Sequence, residues 1–191
     1  MVTLNRITTR TGDQGTTGLT DGSRVSKDHP LIAVIGTVDE ANSLLGVIRL
    51  EQLPEVVATA LPAIQNDLFD LGGDLATVPG GQWEDKIPRI NDTQVERLET
   101  WATAANAGIA PLTSFVLPGG TRAAAWLHLA RTVVRRAERE LVAAQCADNA
   151  RVWNPNCLRY LNRLSDLCFI WSRLANDSGA ADVLWVPGKG R

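Results

Sequence analysis

From residue 31 onward, apolar positions recur at the helical period. Leu31, Val34, Ile35, Val38, Ala41, Leu45 and Ile48 follow one another at three- and four-residue intervals, which places them on one buried face of a helix that can start at Pro30. The stretch "LPEVVATALPAIQNDLFDLGGDLATVPG" predicts a second helix, kinked or interrupted at Pro62 and stopped by "VPGG". A loop, "GGQWEDKIPRIN", precedes a third helix running to about Gly108. Asn91 can cap this helix with Gln94 at the reciprocal position, and Ile90 and Val95 are placed as a hydrophobic staple. The longest uninterrupted pattern, about Thr121 to Cys146, holds no Gly or Pro and is rich in good helix formers. Asn154 followed by Pro155 opens a fifth helix reaching about Asn176. Five helical segments and no convincing strand alternation predict an all-α fold, a five-helix bundle.

Composition narrows this little. At 191 residues the chain suits one domain, and a net charge of -2 argues against a general nucleic-acid binder. Cys146, Cys157 and Cys168 form no C-x-x-C pair and read as reduced thiols, which fits a cytoplasmic setting. No signal peptide is expected at the N-terminus, and no window is expected to approach the roughly 18 to 20 apolar residues of a membrane span. Two histidines and the scattered cysteines give no metal-site spacing, and no nucleophile elbow is present.

Polar stripes interrupt the apolar faces. On helix four, His128, Arg131, Arg135 and Glu138 share a sector of roughly 80°, with Arg136 and Arg139 to one side. Two readings stand: a solvated face braced by Arg/Glu pairs, or an anion site in which guanidinium forks meet phosphate oxygens. Helix five carries Asn162, Asp166, Phe169, Arg173 and Asn176 on one face among otherwise apolar positions, either an internal network or a ligand or subunit interface. Asp39 and Asn42 share a face of helix one; an exposed Asp39 would be unremarkable, whereas a half-buried one wants a cation of the kind helix four offers.

The segment "TRTGDQGTTG", Thr9 to Gly18, is poor in core-forming residues. It is either a flexible turn or a backbone cradle for an anion, with Lys27 adding positive charge. It lacks the P-loop pattern.

Together, "TRTGDQGTTGL", "VDEANSLLG", "FVLPGG", "ARTVVRRAER" and "YLNRLSDLCFIWSR" resemble the PduO-type ATP:cob(I)alamin adenosyltransferases, in the right order and over nearly the whole chain. The resemblance implies a single domain over 1–191, with an ATP-binding segment at 9–27 and a helical bundle at 30–177. It implies a homotrimer with active sites at subunit interfaces, moving the 5′-deoxyadenosyl group of ATP to cob(I)alamin. Thr9, Arg10, Thr11, Gly12, Thr17 and Gly18 would then wrap ATP, Lys27 would meet its phosphates, and the segment would order when nucleotide arrives. Arg131, Arg135, Arg136, Ala137, Glu138, Arg139 and Asn162 would belong to the nucleotide site. Asp39 would pair across the interface with Arg131, and Asp166 would order the site. Phe115 would displace the lower axial base of the corrinoid. Mg²⁺ is implied with ATP, and cobalamin as substrate. A corrinoid reductase and an adenosylcobalamin-dependent client enzyme are the further partners suggested, and neither nucleic acid nor membrane is expected. A non-catalytic nucleotide- or cobalamin-binding carrier of the same fold is the alternative. Two positions depart from the family pattern: Ala41 replaces a larger apolar residue, and Gln14 replaces a frequent lysine.

Overall fold

Most helices begin where the sequence offers a cap. In the computed structural model, which describes residues 7–190, α1 (Pro30–Ile48) starts behind His29, whose Nδ1 accepts from the Leu31 N–H at 3.2 Å. α2 (Glu55–Ala76) follows Pro54 without a side-chain cap. α3 (Asp92–Asn106) carries the complete capping box expected at Asn91 and Gln94, and Ile90 and Val95 are both buried in the core. α4 (Arg122–Ala147) is capped by Thr121, whose hydroxyl accepts from the Ala124 N–H at 3.1 Å. α5 (Pro155–Leu174) starts with Asn154 as cap and Pro155 in its first turn. The first six positions of the expected single domain, and residue 191, lie outside the described residues.

α4 packs between α1 and α5, α3 lies against α5, and α2 against α1. α1 and α4 run antiparallel. Arg122 meets Glu51 at 3.1 Å at one end, Arg136 pairs with Glu40 further along, and Thr37 donates to Glu140 at 2.5 Å near the other end. The apolar faces converge on one core that includes fully buried Trp171 and Tyr160.

Two points differ from the sequence reading. Of the two alternatives at Pro62, interruption is ruled out, because α2 is one continuous helix through it. A proline inside a helix removes one backbone bond, but Val57, Leu61, Ile64, Leu68 and Leu71 are almost wholly buried along that helix, and their packing outweighs the loss. Secondly, α1 is long and apolar enough, by length and composition, to cross a membrane. Its apolarity has another cause: Leu31, Val34, Val38, Ala41, Leu45 and Ile48 are buried against the other helices.

The chain also forms a small antiparallel hairpin that periodicity does not reveal. β1 (Thr16–Gly18) pairs with β2 (Arg24–Ser26), with Thr17 opposite Val25. Short 3₁₀ turns at Glu84–Lys86 and Asp177–Gly179 complete the described elements.

Candidate functional site

The hairpin gives the glycine- and threonine-rich segment a defined backbone. Arg24 holds it: Nη2 donates to the carbonyls of Thr11 at 2.7 Å and Thr16 at 2.9 Å, and Nε donates to the Thr16 hydroxyl at 3.0 Å. Lys27 N–H donates to the Gly15 carbonyl at 2.8 Å. Its ammonium lies over Gly12, where an added Cβ would stand 3.0 Å from Nζ, so Gly12 and Lys27 are brought together by the absence of a side chain. Thr9 and Thr11 join their hydroxyls at 2.9 Å, and Arg10 adopts a left-handed φ of 62°. Thr9, Arg10, Thr11 and Gly18 are exposed, and Thr17 is half-buried in β1. The end of the segment, Thr16–Gly18, is thus the first strand of the hairpin, and residues 9–15 run into it through turns. Arg24 was missed because strands of three residues carry no usable alternation.

The arginines of α4 divide. Arg136 is engaged by Glu40, whereas Arg135 and Arg139 are exposed and make no ion pair with a carboxylate among the described residues. Arg139 reaches back to the Arg135 carbonyl at 3.0 Å. Glu138 accepts from the Asn162 amide at 2.9 Å, which fixes α5 against α4 at this level, and Ala137 is wholly buried in the core. One turn below Arg135, Arg131 is half-buried, its Nε has no hydrogen-bond partner and its guanidinium lies 6.0 Å from the Phe169 ring. Burial, and then the charge of Arg135, lower the Arg131 pKa. His128 is buried beneath, with its ring 6.0 Å from Phe169 and Nδ1 unpartnered. Its pKa is likewise lowered, first by burial and then by Arg131.

Arg131 stands on the wall of a cavity of about 830 Å³ shared with Leu112, Phe115, Val116, Phe169 and Trp185. Phe115 is 77% exposed and meets the Trp185 ring edge-on at 6.0 Å. The C-terminal segment forms this wall by pairing with the Phe115 loop: Trp185 N–H donates to the Phe115 carbonyl at 2.7 Å, and Leu117 N–H to the Val183 carbonyl at 2.8 Å. Nothing local in sequence marks Trp185, because its partners lie about 70 residues away. The loop ends at Gly120, which has φ 95° and would place a Cβ 2.3 Å from Asn176 Oδ1; glycine is required there.

The polar face of α5 is mostly internal. Arg173 Nε donates to Asp182 at 2.7 Å and Nη2 to the Ala110 carbonyl at 2.9 Å, while Asn176 donates to the other Asp182 oxygen at 3.0 Å. Asp166 is exposed in an adjoining recess with Asn106, Phe169 and Arg173. Asp39 is exposed and forms no ion pair within the described residues, which takes the exposed branch of the sequence reading; its neighbour Glu40 takes Arg136 of α4. It lines a groove with Ile35, Gly36, Phe69 and Gly72, and Phe69 there is 70% exposed.

Among the described residues no three His, Cys, Asp or Glu side chains cluster to hold a metal. Burial pushes the Cys168 thiol up to about 12 and raises Cys157 as well, the direction for thiols enclosed by apolar core.

A helical bundle carrying a row of unpaired guanidiniums that descends into an apolar cavity has the parts of a protein that binds a polyanion beside a large, flat or greasy molecule. The cobalamin adenosyltransferase family model matches residues 7–175, and the chain belongs to that family. A corrinoid adenosyltransferase of Mycobacterium tuberculosis is 50% identical over 191 residues, covering 100% of this chain and 97% of its own. A cobalamin adenosyltransferase of Cupriavidus metallidurans is 49% identical over 184 residues, 95% of each chain. A variant PduO-type ATP:corrinoid adenosyltransferase from Lactobacillus reuteri, solved with cobalamin and ATP, matches with a TM-score of 0.85 at 33% identity over 95% of this chain and 97% of that one.

Proposed function

We propose that this chain transfers the 5′-deoxyadenosyl group of ATP to cob(I)alamin, giving adenosylcobalamin and triphosphate. The observation that carries the reading is the division of the α4 arginines: Arg135 and Arg139 meet no carboxylate among the described residues, while Arg131 stands on the wall of the Phe115 cavity. Such a row suits a triphosphate at one end and a corrinoid at the other. Cobalt(I) is itself a strong nucleophile, so the protein need not supply one. The cobalt–carbon bond forms as the C5′–oxygen bond breaks, and the oxygen leaves on triphosphate with the bonding pair.

The residues then have positioning and electrostatic work. Thr9, Arg10, Thr11, Gly12, Thr17 and Gly18 wrap the nucleotide, and Lys27, Arg135, Arg136 and Arg139 stabilise the charge that grows on the departing phosphates. Ala137, Glu138 and Asn162 hold those arginines in register, and Asp166 orders the recess below them. Phe115 occupies the lower face of the corrinoid and keeps a base or water from cobalt, which eases its reduction. Mg²⁺ arrives on the phosphates of ATP, in keeping with its preference for phosphate and water oxygens.

The chain works as a homotrimer in this reading, with Asp39 of one copy reaching Arg131 of the next. Exposed Asp39 beside an apolar groove, and an unsatisfied Arg131 Nε, support that pairing. The setting is the cytoplasm, with a corrinoid reductase upstream and an adenosylcobalamin-dependent enzyme downstream. Mixing the protein with ATP and chemically reduced cobalamin tests the activity: a light-sensitive cobalt–carbon product is expected, and its absence at saturating substrates overturns the reading.

A further inference from the structure

The last turn of α2 ends in carbonyls that a helix cannot satisfy internally. Two segments from opposite directions grip them. Arg151, in the connection that follows α4, donates from Nη2 to the carbonyls of Leu75 at 2.6 Å and Thr77 at 2.7 Å. Its guanidinium also lies 4.8 Å from the Trp153 ring, and its backbone N–H is held by Asp148 at 3.2 Å, so its direction is fixed. The carbonyl between those two, Ala76, accepts from the Thr20 hydroxyl at 3.1 Å and the Thr20 N–H at 3.4 Å. The same hydroxyl stands 3.4 Å from the Val78 N–H.

Thr20 belongs to the hairpin turn. Leu19 N–H closes that turn on the Ser23 carbonyl at 2.8 Å, and Asp21 packs beside Gly81, where an added Cβ would stand 3.3 Å from Asp21 Cβ. The α2 end is held from beneath as well: the buried Asp74 carboxylate accepts from Arg89 at 2.7 Å, from the Ile90 N–H at 2.9 Å and from Asn154 at 2.6 Å. Three consecutive carbonyls are therefore shared between the nucleotide hairpin and the segment that leaves the arginine-bearing helix.

The geometry points to Thr20 and Arg151 as positioning residues that set the nucleotide hairpin against the bundle through the C-terminal carbonyls of α2. This rests on the proposed reading of segment 9–27 as the ATP strap. Neither side chain touches nucleotide; both act through where Gly12 and Lys27 are held. Removing either contact lets the hairpin swing, so ATP must order it again on binding, and the loss falls on ATP affinity while the chemistry of the bound complex is kept.

The test uses Thr20→Val and Arg151→Met, with Thr20→Ser as the conservative control, in the full-length protein. Amide hydrogen exchange is followed at the hairpin, together with KM for ATP and kcat with reduced cobalamin. Thr20→Val is expected to speed exchange at Leu19 and Lys27 by about tenfold, the scale of one lost hydrogen bond, with α3 and α5 unchanged. KM for ATP is expected to rise by a similar factor with kcat nearly constant, Arg151→Met to follow it, and Thr20→Ser to restore both. Unchanged hairpin exchange in both variants overturns the proposal, as does faster exchange spread evenly over the bundle or a looser hairpin with unaltered KM. If the unmodified protein makes no adenosylcobalamin, the functional reading fails instead, and the exchange data still decide whether the hairpin is held in this way.

Discussion

α4 and α5 carry polar rows of similar spacing, yet the fold treats them in opposite ways. The Arg173 side chain on α5 is 7% exposed and is met by the Asp182 side chain, 3% exposed, and by the Ala110 carbonyl. Arg135 on α4 is exposed and meets no carboxylate among the described residues. A buried guanidinium paired from several sides is part of the framework, whereas an exposed one beside a cavity remains available to an anion. Periodicity places both rows on a helix face, and only the surroundings separate their roles.

The contrast can be broken at either end. Arg173→Ala leaves the Asp182 carboxylate buried and uncompensated, and a loss of about 3 to 5 kcal/mol in denaturant unfolding is expected. Arg135→Ala is expected to leave unfolding unchanged and to lower turnover by about 10²-fold at saturating ATP, as for loss of a transition-state donor. If Arg135→Ala unfolds easily while Arg173→Ala merely slows catalysis, the assignment of the two rows is inverted. Phe115→Ala extends the test to the foot of the α4 row: adenosylation of corrinoids bearing a lower base should suffer more than that of base-free ones, and equal losses remove the displacement role. Asp39→Ala asks whether Arg131, at that same lower end, is completed by a second copy, because sedimentation should then show weaker assembly. A normal trimer with normal kinetics rules that out.

The smallest effect is expected from acid. His128 lies at the buried start of the α4 row, and its folded pKa is below its ordinary value of 6.5. The unfolded chain therefore takes up the proton first, so its contribution to stability is complete above about 6.5 and is lost as pH falls through that value toward the folded one. Thermal melts scanned downward from neutral pH should show the loss, and His128→Asn should flatten this part of the curve. An unaltered slope in that variant assigns the acid sensitivity to other groups.

Much of the fold was legible because helix signals are local. The Asn91–Gln94 capping box, the Asn154–Pro155 start and the apolar repeats of α1 and α4 each lie within a few residues, and each is found where the sequence put it. What the sequence hid is non-local. At Pro62 the sequence leaves a kink or an interruption open because the proline's cost is local, while the packing that carries α2 through it is not. Asp39 and Glu40 are adjacent in sequence, and which one meets Arg136 depends on the rotation of α1 against α4. For the candidate site, Arg131, Arg135, Phe115 and the hairpin segment could be named from motifs. Arg24, Arg151 and Trp185 could not, since each acts through backbone groups that only the folded chain brings near.

The tail beyond α5 changes how this protein should be shortened or fused. A chain cut after residue 177 would retain every long helix and resemble a complete bundle on paper. It would nevertheless strand Arg173 without Asp182, release the loop that Leu184 bridges at Val116, and open the cavity on the Trp185 side. Crystallisation trims and C-terminal purification handles therefore belong past residue 187, because residues 182–187 are a wall of the molecule.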